Sequence, residues 1–394
     1  MKVKKKIVFP KIDPTTVWNR EELYKTPKHE PFQSHLCLNT NSDVKAIWLE
    51  GAPYKGKPTR CFAFYGIPKT ASKDKKVPAM VLIHGGLGTA YSDWVKLWVD
   101  RGYAAISVDT CGSIPVSRAG NKWIGHEDGG PRGWGRIDLV NEQKEDQWVY
   151  HAIAAVVKSH SFLRSFDCID TSNIGVTGVS WGGFLTCIAA AVDDRFAFAA
   201  PVYGCAFNYE RGGLISKEIG MGKWSKMWDP SVFLPYAKIP FLWLNGTNDF
   251  AFSLDRMTRS SELATGPQYY CYRLRMRHSH GPVSEAPNEI LTFANHFSKG
   301  TPNLVNIFET KVENNSLYVS FNDNTRKVVK AELLWTCDGE DVNWTKRFWN
   351  SKEIEGFAPS SGKVKASLPE KTYQAIINLI TDDGLIVSSK LQTL

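Results

Sequence analysis

Short apolar runs, separated by polar turns rich in glycine and proline, make up most of the chain, and their character changes twice along its length. Residues 1–40 are polar and interrupted by Pro10, Pro14, Pro27 and Pro31, the pattern of an N-terminal arm laid on a larger body. Two strand-like runs follow at 44–49 and 61–65. Gly51, Pro53, Gly56 and Pro58 lie between them, as in an antiparallel hairpin region. Buried strands are predicted at 79–83 and 103–109, then a helix over about 140–160 with apolar positions at Trp148, Ile153, Val156 and Val157. A strand at 173–178, a helix of small apolar residues at 184–192, strands at 198–202, 240–244 and 269–274, and a helix at 289–297 complete this stretch. Strands alternating with helices predict a largely parallel sheet covered on both faces, with ligands beyond the carboxyl ends of its strands. After Thr301-Pro302 the runs become strands alone, at 317–321, 328–335, 363–366 and 373–379, with turns at Asn322-Asp323-Asn324 and Asp382-Asp383-Gly384. That pattern predicts a β-sandwich of immunoglobulin-like size. The expected organisation is an arm (1–40), an α/β catalytic domain (41–300) and a β-sandwich (303–394).

Composition narrows the class of molecule. A chain of 394 residues, 43% hydrophobic and 22% charged, suits a soluble protein with one large and one smaller core. The net charge of +8 comes largely from positions near the ends, including Lys2, Lys4, Lys5, Lys6, Arg326, Lys327 and Lys330. No helix or stripe gathers these charges, so no nucleic-acid partner is expected. The eight cysteines are scattered without a Cys-x-x-Cys pair, as befits buried reduced thiols rather than a disulfide framework or a zinc site. No apolar run approaches about eighteen residues, so no membrane span is expected. Ile7-Val8-Phe9 is cut short by Pro10 and Lys11, too soon for a secretory signal, which makes the expected location cytoplasmic.

The candidate chemistry lies at the ends of the predicted strands. Gly178-Val179-Ser180-Trp181-Gly182 follows a β-branched run and opens a helix of small residues. A strand–turn–helix of this kind holds the serine in a strained conformation, and the flanking glycines avoid clashes with neighbouring elements. Ser180 is thus the candidate nucleophile, and the N–H of Trp181 points toward a developing oxyanion. His84-Gly85-Gly86-Leu87-Gly88, directly after a buried strand, can supply a second donor from Gly86 or Leu87, with His84 itself structural. A serine needs a base, and the base an orienting acid, in the order Ser, acid, His for this architecture. Asp249, in Asn245-Gly246-Thr247-Asn248-Asp249 after a strand, is the expected acid; Asp255 falls within the next predicted helix. His280, followed by Gly281-Pro282, is the expected base, with His278 its close rival. Aromatic residues crowd the same loops. Trp123, Trp134, Tyr203, Trp224 and Trp228 are candidate substrate platforms, the alternative being that they pack a lid. Arg118, Arg132 and Arg136 are candidate anchors for an acidic substrate group. His126-Glu127-Asp128 lacks further spaced ligands, and neither a metal nor any other cofactor is expected.

These motifs, with Ala189-Ala190-Ala191-Val192-Asp193-Asp194-Arg195-Phe196 and His280-Gly281, resemble α/β-hydrolases of the acetylxylan-esterase and dienelactone-hydrolase type. Residues 192–201 also resemble the prolyl-oligopeptidase catalytic domain. The layout is similar to that of the PhoPQ-activated pathogenicity-related group, a catalytic domain followed by a β-domain. The resemblance implies an α/β-hydrolase fold, Ser180 as nucleophile, Asp249 as acid, His280 as base and Trp181 as an oxyanion donor. Dienelactone hydrolases carry cysteine where this chain has Ser180. The Arg-Gly-Gln element of acetylxylan esterases has only Arg132-Gly133-Trp134 as its nearest counterpart. The expected activity is hydrolysis of a small-molecule or oligosaccharide ester through an acyl-enzyme, with a carbohydrate acetyl ester as the expected substrate. The alternatives are a small-peptide hydrolase and a non-catalytic scaffold that binds a glycan or a partner.

Overall fold

The computed structural model describes residues 11–33, 43–116, 122–210, 222–322, 326–358 and 361–394. Its centre is a nine-stranded sheet. The strands in chain order are β1 (His29–Pro31), β2 (Val44–Glu50), β3 (Arg60–Gly66), β4 (Val77–Ile83), β5 (Ala104–Val108), a separate hairpin of β6 (Ser113–Pro115) and β7 (Trp123–Gly125), then β8 (Ile169–Val179), β9 (Phe198–Val202), β10 (Phe241–Gly246) and β11 (Gln268–Arg273). In space the order is β1-β2-β3-β5-β4-β8-β9-β10-β11. The first three strands are antiparallel to their neighbours, and from β5 onward every pair is parallel. This is the α/β-hydrolase fold. Every residue of β4 is buried, because helices cover both faces of the sheet and leave no polar side for the pleat.

The helices are α1 (Arg20–Tyr24), α2 (Ser92–Asp100), α3 (Trp148–Arg164), α4 (Trp181–Val192), α5 (Lys223–Trp228), α6 (Leu254–Ser261), α7 (Pro282–Glu285) and α8 (Asn288–Lys299). None of the described helices is long and apolar enough to cross a membrane. Several boundaries depart from the expected ones, β8 starting at Ile169 and α4 at Trp181, and two departures bear on the packing. The helix expected from about 140 begins only at Trp148, because Asn141 to Gln147 is wholly polar and offers no face to bury. The arm is more than a covering, since its residues 29–31 supply the edge strand β1 and its Trp18 is fully buried against Tyr150, Trp228 and Phe233.

Beyond α8 the chain forms β12 (Asn306–Glu313), β13 (Ser316–Asn322), β14 (Val328–Thr336), β15 (Asn350–Glu353), β16 (Lys363–Ser367), β17 (Gln374–Thr381), β18 (Ile386–Ser388) and β19 (Gln392–Thr393). They build two antiparallel sheets, β12-β13-β16 and β15-β14-β17-β18 with β19 beside β17, a C-terminal β-sandwich. The sandwich covers the open edge of the main sheet. Tyr272 N–H in β11 donates to Ser388 Oγ at 2.7 Å, and the Asn378 side-chain amide donates to Tyr272 O at 3.0 Å. Buried Glu289 joins the two parts, accepting from Ile386 N–H at 2.9 Å while pairing with Arg273 at 2.6 Å. An edge strand tied down in this way cannot recruit a foreign strand.

Candidate active site

Ser180 stands at the turn between β8 and α4 with φ 60° and ψ −118°, a strained left-handed conformation for a residue with a Cβ. The two flanking glycines allow it. A Cβ on Gly178 would lie 2.3 Å from Gly182 O, and one on Gly182 would lie 2.0 Å from Ile83 O. The Ser180 side chain makes no capping bond to α4, so its hydroxyl is not used by the helix. The first N–H groups of a helix have no partner within it and carry the positive end of its dipole, and Trp181 is the first residue of α4.

Asp249 follows β10 and is almost fully buried. Its Oδ1 accepts from the N–H groups of Ala251 (2.9 Å) and Phe252 (2.8 Å), and its Oδ2 accepts from His278 Nδ1 at 2.5 Å. The carboxylate is therefore paired with His278 and not with His280, which corrects the assignment of His280 as the partner of Asp249. Residues 276–280 form a bent loop rather than a strand, so the two histidines turn opposite ways. His278 stacks on Tyr203 (ring centroids 4.5 Å apart), the residue directly after β9, while Ser180 N–H donates to Val202 O next to it. His278 Nε2 meets no partner among the described residues. His280 turns instead toward α2, stacking on Tyr91 at 4.3 Å, and its Nδ1 lies 2.7 Å from Glu285 Oε1. Its Nε2 accepts the N–H of Gly85 at 2.9 Å. Asp255 lies within α6.

The loop after β4 is the candidate oxyanion loop. Gly86 sits against the indole of Trp181, where a Cβ would come within 2.8 Å of Cδ1. Leu87 has φ 60° and is 74% exposed, a large apolar residue held out at the mouth. Beneath the loop, His84 is fully buried, with Nε2 accepting Thr110 N–H at 3.0 Å and Nδ1 2.8 Å from Gly85 O. Asp109 accepts from Thr89 Oγ1 (2.6 Å) and from the N–H groups of Cys111 (3.1 Å) and Ser113 (2.9 Å). His84, Asp109 and Cys111 bring possible ligand atoms within 4.8 Å of one another. Burial pushes the Cys111 thiol well up and holds the His84 imidazolium pKa down, and the carboxylate oxygens are already occupied. The cluster therefore works as a hydrogen-bond tie between the loops after β4 and β5.

The aromatic candidates divide. Tyr203, Trp224 and Trp228 are buried to 1% exposure or less, which corrects their assignment as substrate platforms. Tyr203 supports His278 and donates to Arg277 O at 2.5 Å, Trp224 packs on Phe184 and Trp181, and the Trp228 indole N–H donates to Gln147 Oε1 at 2.7 Å. Trp123 and Trp134 are half-buried and meet edge to face at 5.2 Å, with Trp134 reaching the Gly86 side of the cleft. Arg136 is paired with Asp138 and Arg132 donates to His126 O at 2.9 Å, while Arg118 lies outside the described residues. Three further groups that the sequence did not single out stand beside the candidate residues. Glu285 partners His280, Phe250 is 62% exposed with its ring 4.5 Å from that of His278, and Trp344 of the β-sandwich donates to Asp249 O at 2.7 Å. Nothing local marks Trp344, which is distant in sequence.

The family model for acetyl xylan esterase matches residues 22–219, just over half of the chain. In overall structure the chain is similar to acetyl xylan esterase from Paenibacillus sp. R4, with 17% identity, 74% of this chain and 97% of that one covered, and a TM-score of 0.57. It is likewise similar to acetyl xylan esterase 1 from Thermoanaerobacterium sp. JW/SL YS485, with 17% identity, 70% and 91% covered, and a TM-score of 0.54. Among curated sequences, a probable dipeptidyl-peptidase 5 of Aspergillus flavus and dipeptidyl-peptidase 5 of Aspergillus oryzae are each 28% identical over 139 residues. Those matches cover 34% of this chain and only 16% of the length of the relatives. The chain belongs to the acetyl xylan esterase family and is a serine hydrolase of the carboxylesterase type.

Proposed function

We propose that this member of the acetyl xylan esterase family removes acetyl groups from carbohydrate esters through a Ser180–His278–Asp249 triad and an acyl-enzyme. The observation that carries the triad is the 2.5 Å bond between Asp249 Oδ2 and His278 Nδ1, on a histidine whose Nε2 is unclaimed among the described residues. The proton of Nδ1 is committed to the carboxylate, so Nε2 carries the lone pair that a base needs. His280 is the weaker candidate because its Nε2 lone pair already holds Gly85 N–H.

His278 takes the proton of Ser180 as Oγ attacks the ester carbonyl, and Asp249 stabilises the imidazolium that forms. The tetrahedral oxyanion is held by the N–H groups of Trp181 and Gly86, each such donor being typically worth about 3 kcal/mol. Collapse expels the alcohol, which takes the proton from His278. Water then attacks the acyl-enzyme by the same route in reverse, releasing the acid and Ser180. Exposed Phe250 beside His278, Leu87 at the mouth and the Trp123–Trp134 pair present apolar and aromatic surface suited to a sugar face.

The dipeptidyl-peptidase matches favour a second reading, cleavage of small peptides. A panel of acetylated xylo-oligosaccharides, p-nitrophenyl acetate and an aminoacyl arylamide separates the two. An esterase cleaves the first two and leaves the arylamide essentially untouched, whereas comparable efficiency on the arylamide would establish the peptidase. Failure of a fluorophosphonate to label the wild type any faster than Ser180→Ala would overturn both.

A further inference from the structure

His280 belongs to a second histidine–carboxylate pair that the triad does not use. Gly85 N–H donates to its Nε2, so the ring proton must reside on Nδ1, which donates to Glu285 Oε1. Glu285, at the end of α7, thus fixes the tautomer that exposes an acceptor to Gly85. The ring is held between Tyr91 at 4.3 Å and Trp94 at 5.9 Å, and the Trp94 indole N–H donates to Glu285 O at 3.3 Å. Nothing in this arrangement leaves the imidazole free to rotate.

The consequence falls on the next peptide group. His84 Nε2 accepts Thr110 N–H, so its Nδ1–H is donated to Gly85 O at 2.8 Å. Gly85 C=O and Gly86 N–H belong to one trans peptide and point in opposite directions. With the carbonyl turned inward to His84, the Gly86 N–H is turned outward to the cleft. His280 holds the preceding peptide by its N–H, so two imidazoles restrain two successive peptide groups in a run of glycines that would otherwise rotate freely. The clamp stands close to the nucleophile, for a Cβ on Gly85 would lie 3.2 Å from both His280 Nε2 and Ser180 Cβ.

We propose that His280, oriented by Glu285, is a positioning residue that presets the oxyanion loop by accepting the Gly85 N–H. This rests on the reading above in which Gly86 supplies an oxyanion donor and His278 is the base. The role requires an acceptor at the ε position and no proton transfer to Ser180. His280→Phe keeps a ring against Tyr91 and removes the acceptor, while His280→Gln replaces the ring but offers an amide oxygen.

The test is steady-state hydrolysis of p-nitrophenyl acetate by the full chain, with fluorophosphonate labelling and thermal melting of each variant. His280→Phe is expected to lower kcat about 100-fold with KM changed less than about threefold, the size of effect seen when an oxyanion donor is lost. His280→Gln is expected to recover to within about tenfold of wild type and to label with fluorophosphonate, while His278→Gln does neither. Wild-type kcat in a folded His280→Phe, or an equal loss in His280→Gln, overturns the positioning role and leaves the triad assignment standing. Loss of labelling in His280→Gln together with normal labelling in His278→Gln makes His280 the base, and overturns the triad assignment as well.

Discussion

The two sides of the cleft are held in place by different means. On the nucleophile side, Ser180, Trp181 and the loop from His84 to Gly88 are fixed within the α/β domain, through backbone approaches that only glycine permits and through the buried ties of His84 and Asp109. On the acid–base side, the loop carrying Asp249 is held from outside that domain. The Asn248 side-chain amide donates to the carbonyls of Arg347 (2.8 Å) and Trp344 (3.2 Å), and the Trp344 indole N–H donates back to Asp249 O. Arg256 lies over the Trp344 ring at 4.8 Å, binding α6 into the same junction. The candidate nucleophile and oxyanion loop are held from within the α/β domain, by His280 of the loop after β11 among others, whereas the candidate acid is held partly by the β-sandwich. The β-sandwich is therefore a structural part of the site and not an appendage.

That contrast can be broken at several points. The largest effect is expected for Ser180→Ala and His278→Gln, one from each side, each lowering kcat/KM on p-nitrophenyl acetate by about ten-thousand-fold or more. The double variant should be scarcely worse than either single one, because the two groups act as a unit. Gly86→Ala comes next. Its Cβ would press within 2.8 Å of the Trp181 ring, and displacement of the donor should cost about 100-fold in kcat with little change in melting temperature.

Acid should loosen the nucleophile side first. His84, His126 and His151 lie on that side, and burial holds all three below the usual imidazole value, His151 to about 4. Their folded pKa values are lower than their unfolded ones, so the unfolded state binds the extra protons. Stability is complete above about pH 6.5 and is lost as the pH falls toward 4. For His151 alone the loss by pH 5.5 should be about 1 kcal/mol. Hydrogen exchange at pH 7 and 5.5 should show protection falling in α3 and the loops after β4 and β5 before the loop at 247–252. His151→Phe should reduce the slope.

The smallest effect is expected at the junction. Trp344→Phe keeps a ring beneath Arg256 and removes the bond to Asp249 O, which should lower kcat by about fivefold, near 1 kcal/mol. Fluorophosphonate labelling of Ser180 should slow by the same factor, since acylation uses the same base. An unchanged kcat in Trp344→Phe would show that the Asp249 loop holds its place without the β-sandwich.

Much of this arrangement is written in local spacing. The elbow at Gly178 to Gly182 is readable because Gly178 answers to Gly182 and Thr186, four and eight residues on, and Gly182 to the end of the strand beside it. The loop His84 to Gly88 and the candidate acid Asp249 are readable from their settings, as each follows a short apolar run that forms a buried strand. The boundaries that shifted, such as α3 starting at Trp148, moved where a polar run hid the limit of the apolar face.

The amino-acid order by itself determined the strand–helix alternation and the sandwich tail and pointed to the candidate nucleophile and acid, since each depends on residues near one another in the chain. Only tertiary structure decided which of two histidines, two residues apart in a bent loop, would face Asp249 and which Glu285. Tertiary structure also decided which aromatic rings are buried as packing and which line the cleft, and that a tryptophan far along the sandwich holds the acid loop. Those outcomes turn on the direction a side chain takes at a bend and on contacts between distant segments, and no periodicity or spacing encodes either.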